Sequence, residues 1–117
     1  MIKHYLEGFI HAIKGLKYAI LNDFGFRKQF YGIGVVVAAS IYLLTPLTDS
    51  ELIFIVLAFV LILITELQNS ALEMALNRLH PDLNEAIKIS KDMAASAVLL
   101  AGLFLLFVLG VVAYSHF

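Results

Sequence analysis

The sequence predicts an all-α membrane protein with three transmembrane helices and an N-terminal amphipathic surface helix. Of its 117 residues, 62% are hydrophobic and only 15% are charged, which is far from the balance of an ordinary soluble domain. A helix of about 20 residues crosses the ~30 Å hydrocarbon core of a bilayer, so this chain crosses about three times with little left over. We therefore expect one integral-membrane domain over residues 1–117. The sequence has no cysteine, which excludes disulfides and thiolate chemistry.

Residues 1–24 have the pattern of a helix that lies on the membrane surface. Apolar residues recur at helical spacing, and the opposite face carries charged residues. Such a helix lies in the interface plane with its apolar face toward the lipid. The apolar positions are Ile2, Tyr5, Leu6, Phe9, Ile13, Leu16 and Ile20, and the charged ones are Lys3, Glu7, Lys14 and Lys17.

Charged residues divide the rest of the chain into three predicted spans. Residues 29–48 and 93–117 carry no Lys, Arg, Asp or Glu and are long enough to cross. The stretch 52–65 is too short by itself, but no Gly or Pro interrupts the pattern before Pro81. We therefore predict helices over 29–48, 52–79 and 91–115, with the second extending into the cytoplasm.

The positive charges predict the orientation of these spans. All 8 Lys and Arg residues lie before the first span or between the second and third. The link 45–51 and the C-terminal YSHF carry none. Since positive residues collect in cytoplasmic segments, we expect a multi-pass protein of the cytoplasmic (inner) cell membrane, with its N-terminus inside and its C-terminus outside.

A polar stripe follows the apolar run of the second span. In the segment ELQNSALE, the side chains of Glu66, Asn69, Ser70 and Glu73 share one helix face. A carboxylate near the hydrocarbon costs several kcal/mol unless it is paired, solvated, metal-bound or protonated. Two carboxylates on one face also repel each other, which a bound cation would remedy.

The stripe has a structural interpretation and a chemical one. In the structural interpretation, its carboxylates pair with Lys91 and Arg78 and hold the helices together. In the chemical one, Asp23, Lys91 and Asp92 lie at the same membrane depth as the stripe. Carboxylates that hold Mg²⁺, a cation for phosphate oxygens and a base for a hydroxyl are what phosphoryl transfer needs. No Gly-rich phosphate loop is present in the sequence, which excludes Walker and protein-kinase sites.

Two motifs give the chain its resemblance to a known family. The segments ELQNSALE and SKDMAASAV resemble the signature of the small prokaryotic integral-membrane diacylglycerol kinases, a family that includes undecaprenol kinases. The segment KGLKYAILNDFGFR is similar to the surface helix of that family and the approach to its first span. The resemblance implies a homotrimer whose sites are built between neighbouring chains.

The resemblance also implies a role for each matching residue. Glu66 would be the general base at the lipid hydroxyl, and Asn69 and Ser70 would shape that site. ATP would be the co-substrate and Mg²⁺ the cofactor. The implied Mg²⁺ ligands are Asp23 and Glu73, and the implied ATP contacts are Asp23, Glu73, Lys91, Asp92 and His11.

This sequence departs from the family pattern at two of the acidic positions. Asp23 stands where the family more often has Glu, and its side chain is one methylene shorter. Asn77 stands where the family usually has Asp, so the charge at that position is lost or moved.

We therefore expect an ATP-dependent lipid kinase that phosphorylates a membrane lipid alcohol. Diacylglycerol, converted to phosphatidic acid, is the favoured acceptor, and undecaprenol is the alternative. An alternative of another class is a non-enzymatic oligomeric scaffold or channel subunit whose carboxylates line an ion path. We expect no nucleic-acid partner.

Overall fold

The computed structural model describes residues 1–79, 82 and 84–117, and every regular element in these ranges is helical. The predicted all-α class is therefore confirmed. Pro81, where the sequence predicts that the second helix can no longer continue, lies outside the described residues, as does His80.

Helix α1 (Ile2–Asn22) is separated from the next helix by a sharp change of backbone at Asp23. Asp23 has extended dihedrals, with φ −97° and ψ 108°, and its carboxylate accepts a hydrogen bond of 3.2 Å from the backbone N–H of Phe26. Asp is a preferred residue at this capping position. It therefore ends α1 and starts the short helix α2 (Phe24–Arg27).

The chain continues from α2 through a π-helical segment, Lys28–Ile33, into α3 (Gly34–Leu44). Lys28 and Gly34, at the two junctions, have right-handed helical dihedrals, so the helical course is unbroken. The first predicted span is thus divided among shorter elements. Two described helices are long and apolar enough to cross a membrane, Asp49–Leu79 and Glu85–His116, and the third crossing stays a prediction.

Helix α4 (Asp49–Leu79) has 31 residues and runs through the acidic motif without interruption. It begins with reciprocal hydrogen bonds between Thr48 and Glu51. The Glu51 carboxylate accepts from the Thr48 N–H at 2.8 Å, and the Thr48 hydroxyl accepts from the Glu51 N–H at 3.1 Å. This capping box satisfies backbone donors that the first helical turn leaves unpaired.

Helix α5 (Glu85–His116) has 32 residues and begins before the predicted start at Lys91. The reason is Asn84, whose side-chain oxygen accepts a hydrogen bond of 3.0 Å from the Ile87 N–H and caps the helix. Contacts between Asn77 and Lys91 at one end and Glu51 and His116 at the other show that α4 and α5 are antiparallel.

A narrow apolar core joins α3, α4 and α5. Its buried positions on α4 and α5 recur every three to four residues, as one face of a helix requires. Many large apolar side chains of the same helices stay exposed in the single chain, including Leu100, Leu106 and Phe107. The buried core residues are Val37, Leu44, Ile55, Ala58, Ile62, Ala101, Leu105, Val108 and Val112.

Candidate active site

Glu66 occupies the last position of the buried face of α4. The buried residues of this helix are Ile55, Ala58, Ile62 and Glu66, so the carboxylate continues an otherwise apolar stripe. Glu66 is 8% exposed, and among the described residues it is the one charged residue that is buried. A buried carboxylate on a helix apolar enough to cross a membrane is a candidate functional position, because burying a charged group is costly.

The backbone of α2 brings a second carboxylate to Glu66. A methyl group placed on Gly25 would lie 3.0 Å from Oε1 of Glu66 and 3.4 Å from Oδ1 of Asp23. Both carboxylates therefore face the same point above the Gly25 backbone. Glycine permits this close approach since it has no side chain.

Ser70 and Asn69 extend the polar surface around Glu66. The Ser70 hydroxyl donates a long hydrogen bond of 3.5 Å to Oε1 of Glu66. The side-chain oxygen of Asn69 is shielded and has no hydrogen-bond partner among the described residues. An unpaired acceptor of this kind is costly.

A groove of about 520 Å³ opens between α4 and α5 beside Asn69. Thr65, Gln68 and Asn69 form its polar wall, and Ala94 and Ala97 form the facing wall on α5. The groove stays open because Ala94 and Ala97 are small. The side-chain amides of Gln68 and Asn69 carry hydrogen-bond donors and acceptors at its wall.

A second cavity, of about 360 Å³, lies between α1 and α4. Gly15 and Leu16 of α1 line one side, and Ser70 and Met74 of α4 line the other. Asp23 also lines it. Helix α1 therefore lies beside the face of the acidic motif that carries Ser70.

The predicted phosphate-contacting residues lie at the start of α5. The Lys91 ammonium donates a hydrogen bond of 2.6 Å to the side-chain oxygen of Asn77 on α4. Asp92 pairs with Lys88 at 3.7 Å on the exposed surface. In the described part of the chain, neither Lys91 nor Arg78 forms an ion pair with a carboxylate of the stripe. This arrangement does not support the purely structural interpretation.

The remaining predicted site residues are more exposed. Glu73 lies two turns beyond Glu66 on the same face of α4 and is exposed, and His11 is exposed on α1. The structure thus brings Asp23, Glu66 and Ser70 together, while Lys91 and Asp92 contact other partners.

The donor set fits Mg²⁺, which prefers oxygen ligands and usually keeps several waters. Within residues 1–79, 82 and 84–117 no group of three or more His, Asp or Glu side chains is placed to hold a metal ion. One or two carboxylates are nevertheless enough for Mg²⁺ when phosphate oxygens complete the coordination. Asp23, whose carboxylate points to the space above Gly25, is one such ligand candidate.

The same residues fall inside a match to a known family. A family model described as prokaryotic diacylglycerol kinase matches residues 10–113, a range that contains Asp23, the stripe on α4 and Lys91. The chain belongs to this family. The resemblance carried by ELQNSALE and SKDMAASAV is therefore confirmed.

Individual members of the diacylglycerol kinase family match at moderate identity. The diacylglycerol kinase of Escherichia coli K12 is 29% identical over 107 residues, which cover 92% of this chain and 86% of the relative. The diacylglycerol kinase of Synechocystis is 37% identical over 100 residues, or 84% of this chain and 55% of the relative. The Haemophilus influenzae enzyme of the same name is 25% identical over 100 residues, covering 86% and 83%.

The sequence did not reveal three features of this diacylglycerol kinase family member. The assembled helices show the close approach of Gly25 to Glu66, the place of Gln68 in the groove, and the contact of Asn77 with Lys91. The glycine in NDFGF was the available signal for a close approach, but nothing in the sequence says which side chain approaches it.

Proposed function

We propose that the protein transfers the γ-phosphate of ATP to the hydroxyl of a membrane lipid alcohol, with diacylglycerol as the acceptor. The observation that carries this proposal is the buried carboxylate of Glu66, which faces Asp23 across Gly25 and accepts from Ser70. A buried base beside a second carboxylate, at the depth where a lipid hydroxyl meets water, suits proton removal from that hydroxyl.

Glu66 takes the hydroxyl proton, while Asn69 and Ser70 orient the hydroxyl and the base. The Ser70 hydroxyl holds one oxygen of Glu66, and the side chain of Asn69 lines the adjoining groove between α4 and α5. Asp23 and Glu73 would hold Mg²⁺, which would offset the negative charge of the ATP phosphates. Lys91 supplies a positive charge to the transferred phosphoryl group, Asp92 helps to hold the nucleotide region, and His11 is a further nucleotide contact.

Positioning and electrostatic stabilisation carry most of a phosphoryl transfer. The position of α1 beside Ser70 and Asp23 supports this mechanism, because these residues line one cavity between α1 and α4 in which a substrate can be held against them. The proposal therefore needs no nucleophile from the protein itself.

The groove beside Asn69 supports diacylglycerol over undecaprenol as the acceptor. Gln68 places an amide donor in a groove whose other polar residues are Thr65 and Asn69 and whose remaining lining is alanine and leucine. Diacylglycerol offers ester carbonyls that can accept from this amide, whereas the tail of undecaprenol offers no acceptor. Gln68 is exposed, so water can satisfy its amide when the substrate offers no acceptor, and the expected preference is worth no more than one hydrogen bond.

We expect Gln68→Leu to lower the rate with diacylglycerol by roughly threefold to tenfold, the worth of one hydrogen bond. The rate with undecaprenol in the same variant is the internal control and should stay unchanged. Equal losses with both lipids would show that Gln68 does not select the acceptor.

We further propose that the protein acts as a homotrimer with sites between neighbouring chains. The exposed apolar faces of α1 and α5 in the single chain support an assembly in the membrane, because these faces can be covered by lipid or by another copy.

Release of ADP by the detergent-solubilised protein, with and without short-chain diacylglycerol, tests the proposed activity. We expect lipid-dependent ADP release and formation of the phosphorylated lipid, and we expect Glu66→Gln to abolish both while retaining nucleotide binding. If the unaltered protein releases no ADP with any lipid alcohol, the scaffold or channel alternative is favoured. No acidic residue lies on α4 between Glu51 and Glu66. The carboxylates of this helix are therefore grouped at its first turn and in its second half and do not line its length, which argues against an ion path.

A further inference from the structure

Lys91 is held across the helix pair by a neutral side chain. Its ammonium donates a hydrogen bond of 2.6 Å to the side-chain oxygen of Asn77, which lies on α4 near the end of the helix. Among the described residues, Lys91 has no ion pair, while Lys88 and Asp92 on the exposed surface of α5 pair with each other at 3.7 Å. The charges of Lys88 and Asp92 therefore offset each other, whereas no carboxylate of the described residues pairs with the charge of Lys91.

We propose that Asn77 is a positioning residue that holds Lys91 for the nucleotide phosphates without neutralising its charge. This inference rests on the proposed function only in naming ATP as the anion that Lys91 meets. The contact between Asn77 and Lys91 is a property of the helix pair itself.

An amide and a carboxylate at position 77 would act differently on Lys91. Both can accept a hydrogen bond from the ammonium, so both can restrict the motion of its long, flexible side chain. A carboxylate also adds a negative charge beside the ammonium and repels the phosphate oxygens that the ammonium is meant to attract. An amide fixes the ammonium but leaves its positive charge available.

The substitution of Asn for the family's usual Asp then has a functional meaning. If Asn77 were instead a sign of lost activity, Asp at this position would restore nucleotide binding. If the contact were only structural, Asp would keep it or strengthen it, and nucleotide affinity would not change. The three interpretations therefore predict different changes in nucleotide affinity for one variant, Asn77→Asp.

The test is equilibrium binding of MgATP to the detergent-solubilised protein without a lipid acceptor, at low and at high salt. We expect Asn77→Asp to weaken binding by about fivefold at low salt, the scale of one exposed charge pair. The difference should shrink at high salt, because ions screen exposed charges. Asn77→Leu should also weaken binding, since it frees Lys91, but without the added salt dependence of the Asp variant.

Asn84→Asp is the matched control. It makes the same neutral-to-negative change near the same end of α5, and Asp can cap the helix as Asn does. We expect its MgATP affinity to match that of the unaltered protein. Thermal unfolding of Asn77→Asp should be unchanged or shifted upward, which separates an electrostatic effect from misfolding.

The binding and lipid assays together distinguish failure of this inference from failure of the proposed function. Unchanged or tighter MgATP binding by Asn77→Asp overturns the role of Asn77, whatever the lipid assay shows. An unaltered protein that binds MgATP but phosphorylates no lipid overturns the proposed function and leaves the role of Asn77 supported by the binding data. An unaltered protein that binds no MgATP overturns both.

Discussion

The carboxylate of Glu66 lies where the pattern of α4 would otherwise place an aliphatic side chain. Ile55, Ala58 and Ile62 precede it on the buried face, and Glu66 is buried almost as fully as they are. A charged group at such a position costs several kcal/mol. Ser70 offsets only part of that cost through one long hydrogen bond, so stability alone does not explain the residue.

Gly25 provides a sharp test of the geometry around Glu66. We expect Gly25→Ala to lower turnover by about tenfold, because its methyl group would lie 3.0 Å from the Glu66 carboxylate and force it to move. The same change should leave folding intact or strengthen it, since Ala favours a helix by about 1 kcal/mol over Gly. Lipid-dependent ADP release and thermal unfolding measure the two effects.

Gly32→Ala is the control for this experiment. Gly32 belongs to the π-helical segment that follows α2, and a methyl group there would meet nothing within 4 Å in the chain. Its turnover should stay close to that of the unaltered protein. Equal losses in the two variants would show that the Gly25 effect does not come from crowding Glu66.

Helical spacing alone was sufficient to predict that Glu66, Asn69 and Ser70 share one face. It could not show that Asp23 faces Glu66, because this depends on the backbone change at Asp23 that ends α1 and starts α2. Nor could it show that Asn77 is the partner of Lys91. That contact joins residues on two helices whose relative register is set by packing.

At the scale of elements, a side-chain contact joins α4 and α5 at the end of the pair opposite the candidate active site. Nε2 of His116 lies 3.2 Å and 3.1 Å from the two carboxylate oxygens of Glu51. Glu51 also accepts from the Thr48 N–H in the capping box. One carboxylate therefore joins the first turn of α4 to the last turn of α5.

We expect His116→Ala to lower the midpoint of thermal unfolding in detergent by a few degrees. The substitution removes the contact between His116 and Glu51 that joins the two helices. Glu51 then keeps only its capping interaction with Thr48. MgATP affinity should not change, because Asn77 and Lys91 lie at the other end of the pair. Ser115→Ala is the control, since its hydroxyl donates only to Val111 of its own helix.

A double-variant cycle isolates the contact from the cap. Glu51→Ala should destabilise more than His116→Ala, because it removes both interactions. The combined variant should then lose less than the sum of the two single losses. Strictly additive losses would mean that the Glu51 and His116 side chains do not stabilise the helix pair together.

The sequence predicted the long helices better than their boundaries. The absence of Gly and Pro predicted that α4 runs through the acidic motif, and this is confirmed. The earlier start of α5 follows from the Asn84 cap, which the charge pattern did not reveal. The π-helical segment was not predicted either. Within it Phe30 packs near Phe59 of α4, and such a long-range contact leaves no periodic signal in the sequence.

At the scale of the whole molecule, the helix pair has two chemically different ends. The end with Asn77 and Lys91 carries basic residues of the connecting region, whereas the end with Glu51 and His116 has acidic residues and no Lys or Arg. The hydrogen-bonded groups at the two ends fix the antiparallel pairing. They do not by themselves say which end faces the cytoplasm, so that prediction rests on the distribution of Lys and Arg.

We expect a reporter fused to the N-terminus to read as cytoplasmic and one fused to the C-terminus to read as external. This orientation places Lys91 and Asn77 on the side where ATP is available, and it requires an odd number of crossings, hence a membrane-spanning course for residues 29–48. Two cytoplasmic readings would contradict it and would fit a protein in which only α4 and α5 cross.

Charge reversal in the link before α4 tests the cause of that orientation. Asp49→Lys combined with Ser50→Lys adds positive charge to the predicted external side, so we expect a mixed population of orientations and a fall in the external C-terminal signal. Asp49→Asn is the control and should leave the orientation unchanged, because acidic residues contribute little to this rule. If the double Lys variant keeps the original orientation completely, helix packing and not the distribution of Lys and Arg sets the direction of insertion.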